Sequence, residues 1–494
     1  MCKRYKDKNL KKNRIEWQAW HPEYFAKAKA EDKALFVFVG HRGCSWCEQM
    51  EQESFLDEEI VGLIQRDFIP VRVDSYERPD IGRYLHALFT QMTGREANDP
   101  LCLFLSPEQV PLYSATYMPD RDRDGMMGLR ETLELVGKKY QEQRSLLLNK
   151  GKEVLESMPK SIESKQATKL DATVRSLVSE QIQMRYDNEY GGFEGAPKFP
   201  RHSVLMLLTE LLEKRQDSAL KKILVHTLDA MTGKALRDDR DGGFYHYCTD
   251  AGWEKPSHGK LLYDNALMVQ VLLNASRVLG EAQYRTYALQ TVHFLQSHLI
   301  KNGLFTALYD EGIVQERRII VSWNAMAVTS LFLAGEHDRV YHQLAIETLG
   351  KLLEQGMKEG RLYHSFFPGE SPETEAFLED YAHVADALIV AYEQTNEEHY
   401  LVKASELINE ALKRFFHAGL WQYNEGEMAR EDDPKDTVYP SALAVMTSVL
   451  HKAAKLIDPA YEKFMHRTLE VHSYTLMREP ISMPQLSRVL LATV

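Results

Sequence analysis

Cysteine is scarce in this chain, with five residues among 494. So few thiols do not make the disulfide framework of a small secreted domain, and closely paired cysteines are then more often redox groups or metal ligands than cross-links. No stretch approaches the roughly 18–20 apolar residues of a membrane span, and no apolar signal segment follows the N-terminal basic residues. We therefore expect a cytoplasmic protein with no membrane partner.

Motifs for phosphates, nucleic acids and metals are also missing. No GxxxxGK[ST] loop occurs, no GxGxxG follows a predicted strand, and the 18 histidines include no HxxxH or HxH pair. The net charge of -12 is spread along the chain, and beyond residue 15 no basic stripe alternates with aromatic residues. We predict no nucleic acid partner, no metal and no cofactor.

The length of the chain allows at least two hydrophobic cores, because a single core stops growing at roughly 250–300 residues. Residues 1–14 carry seven basic side chains and one acidic one, which indicates a flexible, solvated terminus or a polyanion-binding arm. An α/β domain is predicted over 15–150, a polar, partly helical linker over 151–169, and an all-α domain over 170–494.

The N-terminal domain alternates helical and strand patterns. A predicted helix at Pro22–Lys33 precedes an apolar strand at Ala34–Val39, and further strands follow at Phe68–Val73, Leu101–Leu105 and Leu112–Tyr117. Alternation of this kind predicts an α/β domain with a central sheet.

From Leu170 onward the sequence predicts helices and no strand. About twelve segments have apolar residues at helical spacing. Short connections alternate with long ones that are rich in glycine, proline and aromatic residues, so in a ring of antiparallel hairpins every long loop lies at the same end. We therefore expect a toroid of six helical hairpins with its long loops at one mouth.

A Gly-x-aromatic motif recurs within these long loops every 51–61 residues. Its copies are Gly191-Gly192-Phe193, Gly242-Gly243-Phe244, Gly303-Leu304-Phe305 and Gly419-Leu420-Trp421, with a looser one at Gly360-Arg361-Leu362-Tyr363. The glycine is expected to turn the chain with a positive φ after a helix while the aromatic ring packs back onto the mouth. The sequence leaves two roles open for these aromatic rings, packing within the fold and contact with a ligand.

Cys44 and Cys47 form a CxxC motif between the first predicted strand and a helix. A thiol at a helix N-terminus lies at the positive end of the helix dipole, which favours the thiolate. Cys44 is therefore the candidate nucleophile, Cys47 the resolving cysteine and Trp46 a candidate substrate contact. A zinc half-site and purely structural cysteines are the alternatives.

Pro100 directly precedes the strand Leu101–Leu105. In thioredoxin-like folds a cis-proline at this place faces the cysteine pair, so Pro100 is a candidate substrate-binding residue, although the isomer is not readable from sequence. Cys102 is either a third thiol near the pair or a buried apolar residue, and the buried role is favoured.

Several short segments together carry a family resemblance. They are Glu16-Trp17, Trp20, Lys27-Ala28-Lys29-Ala30-Glu31-Asp32-Lys33, Cys44-Ser45-Trp46-Cys47, Glu53-Ser54-Phe55, Glu77-Arg78-Pro79-Asp80, Gly191-Gly192-Phe193, Ala196-Pro197-Lys198-Phe199-Pro200, Leu262-Tyr263-Asp264-Asn265-Ala266, Ser322-Trp323-Asn324 and Phe377-Leu378-Glu379-Asp380-Tyr381-Ala382. With them the chain resembles, over nearly its whole length, the YyaL / spermatogenesis-associated protein 20 family. The resemblance implies a thioredoxin-like domain fused to an (α/α)6 toroid of the six-hairpin glycosidase and N-acylglucosamine 2-epimerase type.

The chain departs from the family pattern at two places. Members usually carry a histidine directly after each cysteine of the pair, where this chain has Ser45 and Glu48. Members also usually read Pro-His-Phe-Glu-Lys before the Tyr-Asp-Asn segment, where this chain reads Pro256-Ser257-His258-Gly259-Lys260. The second departure removes an acid/base pair from the expected mouth.

Sugar chemistry needs aromatic platforms together with acids and bases, and the mouth loops contain both. The candidate acids and bases are His246, His258, Asp264, Glu379 and Asp380. The candidate binding residues are Phe193, Lys198, Trp253, Tyr263, Asn265, Trp323, Asn324, Tyr381 and Trp421. Helix capping explains Asp264 and the pair Glu379 and Asp380 equally well, and Lys198 either binds an anionic ligand or pairs with Asp187.

Two functional hypotheses remain open. In the first, a thiol-disulfide oxidoreductase module, with a disulfide-bearing protein as partner, is fused to a toroid that binds or isomerises a sugar-like molecule. In the second, the toroid binds a glycan or peptide without turnover, and the thioredoxin-like domain is structural. An isomerase needs an acid/base pair within one pocket, so a structure that places His246 or His258 away from Asp264 and Glu379 favours the binding hypothesis.

Overall fold

The structure is a computed structural model that describes residues 14–96, 98–158, 167–257, 259–311, 317–426 and 429–494. The chain divides into two compact units, Met1–Lys160 and Ser161–Val494. Among the residues described, no helix combines the length and the apolar content that a membrane span requires.

The N-terminal unit is an α/β domain. Its elements are α1 (Pro22–Ala30), β1 (Ala34–Gly40), α2 (Ser45–Gln52), α3 (Glu58–Asp67), β2 (Phe68–Asp74), α4 (Pro79–Thr93), β3 (Leu101–Leu105), β4 (Pro111–Ala115), α5 (Leu129–Glu142) and α6 (Arg144–Ser157). The strand order is β2-β1-β3-β4, with β1 parallel to β2 and β3 antiparallel to both of its neighbours. This mixed sheet is the thioredoxin-like fold that the family resemblance implies.

Strand β1 is buried along its whole length because helices cover both faces of the sheet. Phe36 and Phe38 contribute to one apolar layer, and Leu35 and Val37 contribute to the other. Successive side chains of a strand point to opposite faces, so a strand covered on both faces reads as a continuous apolar run.

The C-terminal unit is a toroid of helical hairpins. Its helices are α7 (Thr173–Arg185), α8 (His202–Lys214), α9 (Ser218–Gly233), α10 (Leu262–Leu279), α11 (Ala282–Phe294), α12 (Val321–Gly335), α13 (Arg339–Gly356), α14 (Leu378–Thr395), α15 (His399–Phe415), α16 (Ala442–Leu456), α17 (Glu462–Leu476) and α18 (Pro484–Thr493). The even-numbered helices from α8 to α18 each pack against the next, and α18 closes the ring on α8. The (α/α)6 architecture predicted from the sequence is confirmed.

The connections alternate in length as predicted. Short turns lead outward from an inner helix, and the ends of α10 and α14 are marked by Gly280 and Asn396 in the left-handed conformation. Long loops lead inward, so every inner helix begins at the same end of the ring. The mouth therefore collects the positive ends of the inner helix dipoles together with the long loops.

The prediction of no strand after Leu170 was wrong, because the long loops contain short β-ladders. They are β5 (Lys260–Leu261), β6 (Ile300–Lys301), β7 (Leu304–Phe305), β8 (Leu308–Tyr309), β9 (Ile319–Ile320), β10 (Met357–Lys358), β11 (Arg361–Phe366), β12 (Thr374–Glu375), β13 (Phe416–His417) and β14 (Leu420–Trp421). All except β11 have two residues, and such a strand is too short for the alternation of polar and apolar residues by which strands are recognised.

These ladders explain the Gly-x-aromatic motif. Between β6 and β7, Asn302 and Gly303 have φ values of 54° and 83°. Glu359 and Gly360 between β10 and β11, and Ala418 and Gly419 between β13 and β14, are also both left-handed. Two consecutive residues with positive φ are typical of a type I′ hairpin turn. In these three copies the positive φ is confirmed, but the turn joins two strands instead of capping a helix, whereas Gly191, Gly192 and Gly242 have positive φ without flanking strands.

Two asparagines attach these loops to the inner ring. Asn265 is the fourth residue of α10, and its Oδ1 accepts a hydrogen bond from the amide of Phe244 at 2.7 Å while its Nδ2 donates to the carbonyls of Phe244 and Leu261 at 3.0 and 2.8 Å. Asn324, the fourth residue of α12, makes the equivalent three bonds. Each asparagine thus binds the aromatic residue of the motif through its backbone.

Removal of one of these asparagine side chains is expected to destabilise the toroid. In Asn265→Ala the buried amide and carbonyl of Phe244 lose their partners, which should lower the free energy of unfolding by about 2–4 kcal/mol. Asn274→Ala, on the same helix, is the matched control: its side chain makes a 3.6 Å bond to the sulfur of Met206 and a long, exposed bond of 3.4 Å from Arg277, and it should lose less than about 1 kcal/mol. Urea unfolding, followed by the helical circular dichroism signal, measures the loss of stability in both variants. Equal losses would contradict the stabilising role of Asn265.

Candidate functional site

The cysteine pair lies at the N-terminus of α2, directly after β1. Cys44 and Cys47 form a disulfide, and the Sγ of Cys44 also caps the helix by accepting a hydrogen bond from the amide of Cys47 at 3.2 Å. A Cβ atom on Gly40 would lie 2.8 Å from the Sγ of Cys47, so this position has room only for glycine. The backbone thus approaches the disulfide closely.

The loop before β3 places Pro100 beside the cysteine pair. The Asp99–Pro100 peptide bond is cis, and the carbonyl oxygen of Asp99 lies 3.6 Å from the Sγ of Cys44. Trp46 is half exposed and packs against Tyr117, with 4.8 Å between the ring centroids. The structure therefore brings Pro100 to the cysteine pair and leaves Trp46 accessible to another molecule.

Cys102 is fully buried in β3. Burial raises the pKa of its thiol well above the ordinary range. A protonated, inaccessible thiol is a poor nucleophile, which fits the buried apolar role.

The first histidine of the toroid mouth pairs with an aspartate at the start of α10. The Nδ1 of His246 lies 2.8 Å from the Oδ2 of Asp264 and 3.3 Å from the hydroxyl of Tyr263. Asp264 and Tyr263 are about 1% exposed, whereas His246 retains 9% exposure. The structure thus brings together three of the candidate residues, with the imidazole as the member that reaches the surface.

A second pair repeats this arrangement two hairpins further along the chain. The Nδ1 of His364, in β11, lies 2.9 Å from the Oδ2 of Asp380 and 3.8 Å from the Oε1 of Glu379. The amide of Ser322 donates to Asp380 at 3.1 Å, and the hydroxyl of Tyr439 donates to Glu379 at 3.1 Å. All three members of this cluster are at most 2% exposed.

An aromatic wall joins the two pairs. The ring of Tyr263 lies 4.7 Å from that of Trp323 and 4.9 Å from that of Tyr439, in edge-on geometry. Because Tyr263 contacts His246 and Tyr439 donates to Glu379, a continuous chain of contacts runs from the first pair to the second. Asp264 and Glu379 therefore belong to one connected cluster.

His202 was not identified from the sequence and lies close to the first pair. It is the first residue of α8 and is 2% exposed. Burial lowers the pKa of His202, and the charge of Asp264 opposes this effect only in part. The imidazole is thus held neutral next to the carboxylate.

His364 was also missed, although the sequence contains a signal for it. It follows Gly360 by four residues, just as His246 follows Gly242, and the third residue of the next inner helix is an aspartate in both hairpins. The looser motif at 360–363 concealed this equivalence. No such spacing identifies Tyr439.

The other expected binding residues are buried and occupied by contacts within the toroid. The indole of Trp253 donates to the carbonyls of Tyr190 and Gly191, the indole of Trp421 donates to Thr468, and Arg414 donates to the hydroxyl of Tyr381. Phe193 is 3% exposed, and Asn265 and Asn324 bind backbone groups. These side chains are therefore part of the packing of the toroid and are not exposed at its mouth. His258 lies outside the described residues.

Lys198 forms a buried ion pair. Its ammonium is fully buried, contacts Asp187 and donates to the carbonyl of Ala251 at 3.0 Å. Burial alone would raise the pKa of Asp187, but hydrogen bonds from Lys198 and from backbone amides hold that pKa below its usual range. The structure therefore provides the internal partner for Lys198 that the sequence left as one of two options.

Among the residues that the structure describes, two groups of side chains have the composition of metal sites. The first is His364, Glu379 and Asp380, whose potential ligand atoms lie within 4.8 Å of one another. Their oxygens already accept hydrogen bonds from amides and hydroxyls, which fits a hydrogen-bonded network better than a cation site. In the second, Asp238, Asp241 and Glu311, the two aspartates bind the ammonium of Lys260.

A thioredoxin-like unit with a cysteine pair, joined to a six-hairpin toroid with a histidine-rich mouth, defines the class of this protein. The family model Thioredox_DsbH, described as "Protein of unknown function, DUF255", matches residues 5–159. Human spermatogenesis-associated protein 20 is 34% identical over 316 residues, which cover 62% of this chain and 40% of the human protein. Uncharacterized protein B0495.5 of Caenorhabditis elegans is 23% identical, with 96% of this chain and 83% of that protein covered.

These matches confirm the resemblance to the YyaL / spermatogenesis-associated protein 20 family. The alignment spans only about two fifths of the human relative's length, at 40%. Solved structures similar to the toroid include a D-mannose isomerase, with a TM-score of 0.54, 14% identity and coverage of 67% of this chain and all of that one. A sugar epimerase from a ruminal bacterium has a TM-score of 0.53 and 11% identity, covering 62% of this chain and 86% of that one. At such identities the likeness concerns the fold alone.

The Lys198–Asp187 ion pair yields a prediction for stability. Lys198→Met leaves the Asp187 carboxylate without its cation and should lower the free energy of unfolding at pH 7 by about 2–4 kcal/mol. Because the folded-state pKa of Asp187 is lowered, the pair stabilises above the ordinary carboxyl pKa and loses this effect as the pH falls through the folded-state value. The loss should therefore shrink towards pH 3.

Urea unfolding at several pH values measures this loss. Lys222→Met, at an exposed position of α9, is the control and should have little effect at any pH. The double variant Asp187→Asn, Lys198→Met should recover part of the stability. A ligand-binding role for Lys198 instead predicts nearly wild-type stability in the absence of ligand.

Proposed function

We propose that the toroid catalyses an acid/base isomerisation or epimerisation of a sugar-like carbonyl compound. The observation that carries this proposal is the pair of imidazole–carboxylate contacts, His246 with Asp264 and His364 with Asp380, joined by the wall of Tyr263 and Tyr439. Such reactions need one group to remove a proton from the carbon next to a carbonyl and another to return it. Imidazoles titrate near neutral pH and suit both tasks.

The carboxylates have a clear task in this mechanism. Asp264 binds the Nδ1 of His246, which leaves the opposite nitrogen, Nε2, as the atom that exchanges the proton with the substrate carbon. The negative charge of Asp264 also stabilises the imidazolium formed when the proton arrives. Electrons from the broken C–H bond move towards the carbonyl oxygen, and the positive helix N-termini at the mouth favour the resulting negative charge.

The solved structures support the class of substrate. Three toroids similar in fold are a D-mannose isomerase, a sugar epimerase and a cellobiose 2-epimerase. Their substrates make aldoses and short glycans the first compounds to test, although a shared fold does not establish a shared reaction.

The proposal predicts proton exchange at the carbon next to the carbonyl. Incubation with D-mannose, D-glucose or cellobiose in D2O should incorporate deuterium at C2 of at least one sugar, as measured by NMR. His246→Asn should slow the exchange by about 100-fold or more, because it removes a general base. His466→Asn, on the exposed face of α17, is the matched control and should leave the rate unchanged.

The second candidate function is binding without turnover. His364, Glu379 and Asp380 are almost completely buried, and this favours a structural or binding role for the second pair. Saturable binding of a sugar with no deuterium incorporation would support this alternative. The absence of both binding and exchange across the panel would contradict the sugar proposal.

We also propose that the N-terminal unit is a thiol-disulfide oxidoreductase module that acts on a disulfide-bearing protein in the cytoplasm. Its support is the CxxC pair at the N-terminus of α2 next to Pro100, with the exposed Trp46 beside it. The thiolate of Cys44 would attack a partner disulfide, and Cys47 would then displace the partner from the mixed disulfide.

A redox titration tests this module. In glutathione buffers, with free thiols trapped by alkylation and identified by peptide mass spectrometry, Cys44 and Cys47 should interconvert reversibly at a potential between about -120 and -300 mV. Cys102 should remain reduced throughout, because it is buried. Cys47→Ser should trap a mixed disulfide on Cys44. A pair that stays reduced across the whole series would contradict the proposal and favour a structural role.

A further inference from the structure

Four chain segments of the N-terminal unit meet at one buried carboxylate, that of Asp99. Its Oδ1 lies 2.9 Å from the Nε2 of His86, its Oδ2 accepts a hydrogen bond from Ser75 at 2.5 Å, and the Nε2 of His41 lies 3.9 Å from the same Oδ2. The Asp99 side chain is only 7% exposed. The oxidoreductase mechanism above assigns no role to this cluster.

The cluster is built from loops that surround the cysteine pair. His41 precedes Cys44 by three residues in the loop between β1 and α2, Ser75 follows β2, and His86 lies on α4. The ring of His41 packs on Tyr76, with 4.0 Å between centroids.

The carboxylate remains ionised at neutral pH. Burial by itself would raise the pKa of Asp99, but the hydrogen bond from His86 and the charges of His86 and His41 hold it below its usual range. A negative charge is therefore maintained within reach of both imidazoles.

The geometry around His41 favours its doubly protonated form. Its Nδ1 lies 2.8 Å from the carbonyl oxygen of Arg42, which accepts a hydrogen bond and so requires a proton on this nitrogen. Its other nitrogen faces the carboxylate of Asp99, which favours a proton there as well. The hydrogen bond at Nδ1 and the negative charge 3.9 Å from Nε2 both favour the imidazolium.

The same residue, Asp99, connects this cation to the reactive sulfur. Its carbonyl oxygen lies 3.6 Å from the Sγ of Cys44, and its carboxylate faces His41. We propose that His41 is a positioning residue that holds a proton as an imidazolium in the loop leading to the reduced cysteine pair, with Asp99 as its anchor, and thereby keeps Cys44 as a thiolate at mildly acidic pH. This proposal rests on the oxidoreductase role proposed above.

The proton balance of reduction is then defined. A dithiol reductant supplies two electrons and two protons and leaves as a disulfide, while the Cys44–Cys47 bond breaks. One proton remains on the Cys47 thiol, and the other passes to solvent because His41 already carries its proton in the disulfide form, so that Cys44 is left as the thiolate. The imidazolium offsets one of the two negative charges, those of the thiolate and the Asp99 carboxylate, which limits the cost of the charged sulfur.

The alkylation rate of Cys44 tests this proposal. The full chain is reduced with dithiothreitol, freed of the reductant, and treated with iodoacetamide between pH 4 and pH 9, and the modified Cys44 peptide is quantified by mass spectrometry. His41→Gln should lower the rate at pH 6 by about tenfold, the effect of one pKa unit in the thiol. His21→Gln, at an exposed position of the same unit, is the control and should follow the wild-type profile.

Asp99→Asn separates two electrostatic explanations. If Asp99 acts through His41, loss of the carboxylate deprotonates the imidazole, and the alkylation rate at pH 6 should fall. If the carboxylate acts on the sulfur directly, loss of its negative charge should raise the rate. Unchanged profiles for both His41→Gln and Asp99→Asn, or a higher rate in Asp99→Asn, would overturn the proposal.

Two further features keep the result interpretable. Near-ultraviolet circular dichroism checks the fold of each variant, and His41→Asn supplies a second substitution at the same position. Alkylation is measured on protein that is already reduced, so it is independent of the glutathione titration. Failure of the oxidoreductase proposal would appear in that titration, whereas failure of the present one would appear only in the pH profile.

Discussion

The hydrogen bonds between Asn265 or Asn324 and the backbone of a neighbouring hairpin determine where the long loops of the toroid meet its inner helices. Each asparagine satisfies an amide and two carbonyls in a place that water does not reach, so the connection is costly to break. His246 follows Phe244, the residue bound by Asn265, by only two positions. The place of the imidazole at the mouth therefore depends on a side chain that is itself inaccessible.

The same constraint explains why acidic side chains gather at the mouth. Inner helices begin at one end of the ring, and their first turns supply Asp264, Ser322, Glu379 and Asp380. Charged residues gathered in this way are stabilised by helix dipoles and by hydrogen bonds from neighbouring first turns. Catalysis and helix capping were alternative explanations for these carboxylates in the sequence, and the structure makes the two compatible, since Asp380 accepts from the amide of Phe377 and also contacts His364.

Much of the fold could be predicted because its patterns are local and long. The apolar run of β1 and the helical periods of the toroid extend over many residues, and the glycines with positive φ have a steric reason that is visible in sequence. The two-residue ladders could not be predicted, because their pairing partners lie across a turn or in another loop. The burial of individual side chains could not be predicted from the sequence either. Trp253 and Trp421 read as stacking platforms, and only the packing of the hairpins shows that both are enclosed.

The repeat places one side chain at a fixed offset from the glycine of the motif. Four residues after Gly303 and Gly419 stand Ala307 and Tyr423, where the copies at Gly242 and Gly360 have His246 and His364. The carbonyls of Ala307 and Tyr423 accept hydrogen bonds from the first residues of α10 and α14, respectively, so these two positions are also structurally equivalent to each other. Hydrogen bonds made by the backbone do not depend on which side chain is present. The architecture of the toroid at these positions is therefore independent of the side chain, so the residue at this offset can change without loss of the hydrogen bond that supports the fold.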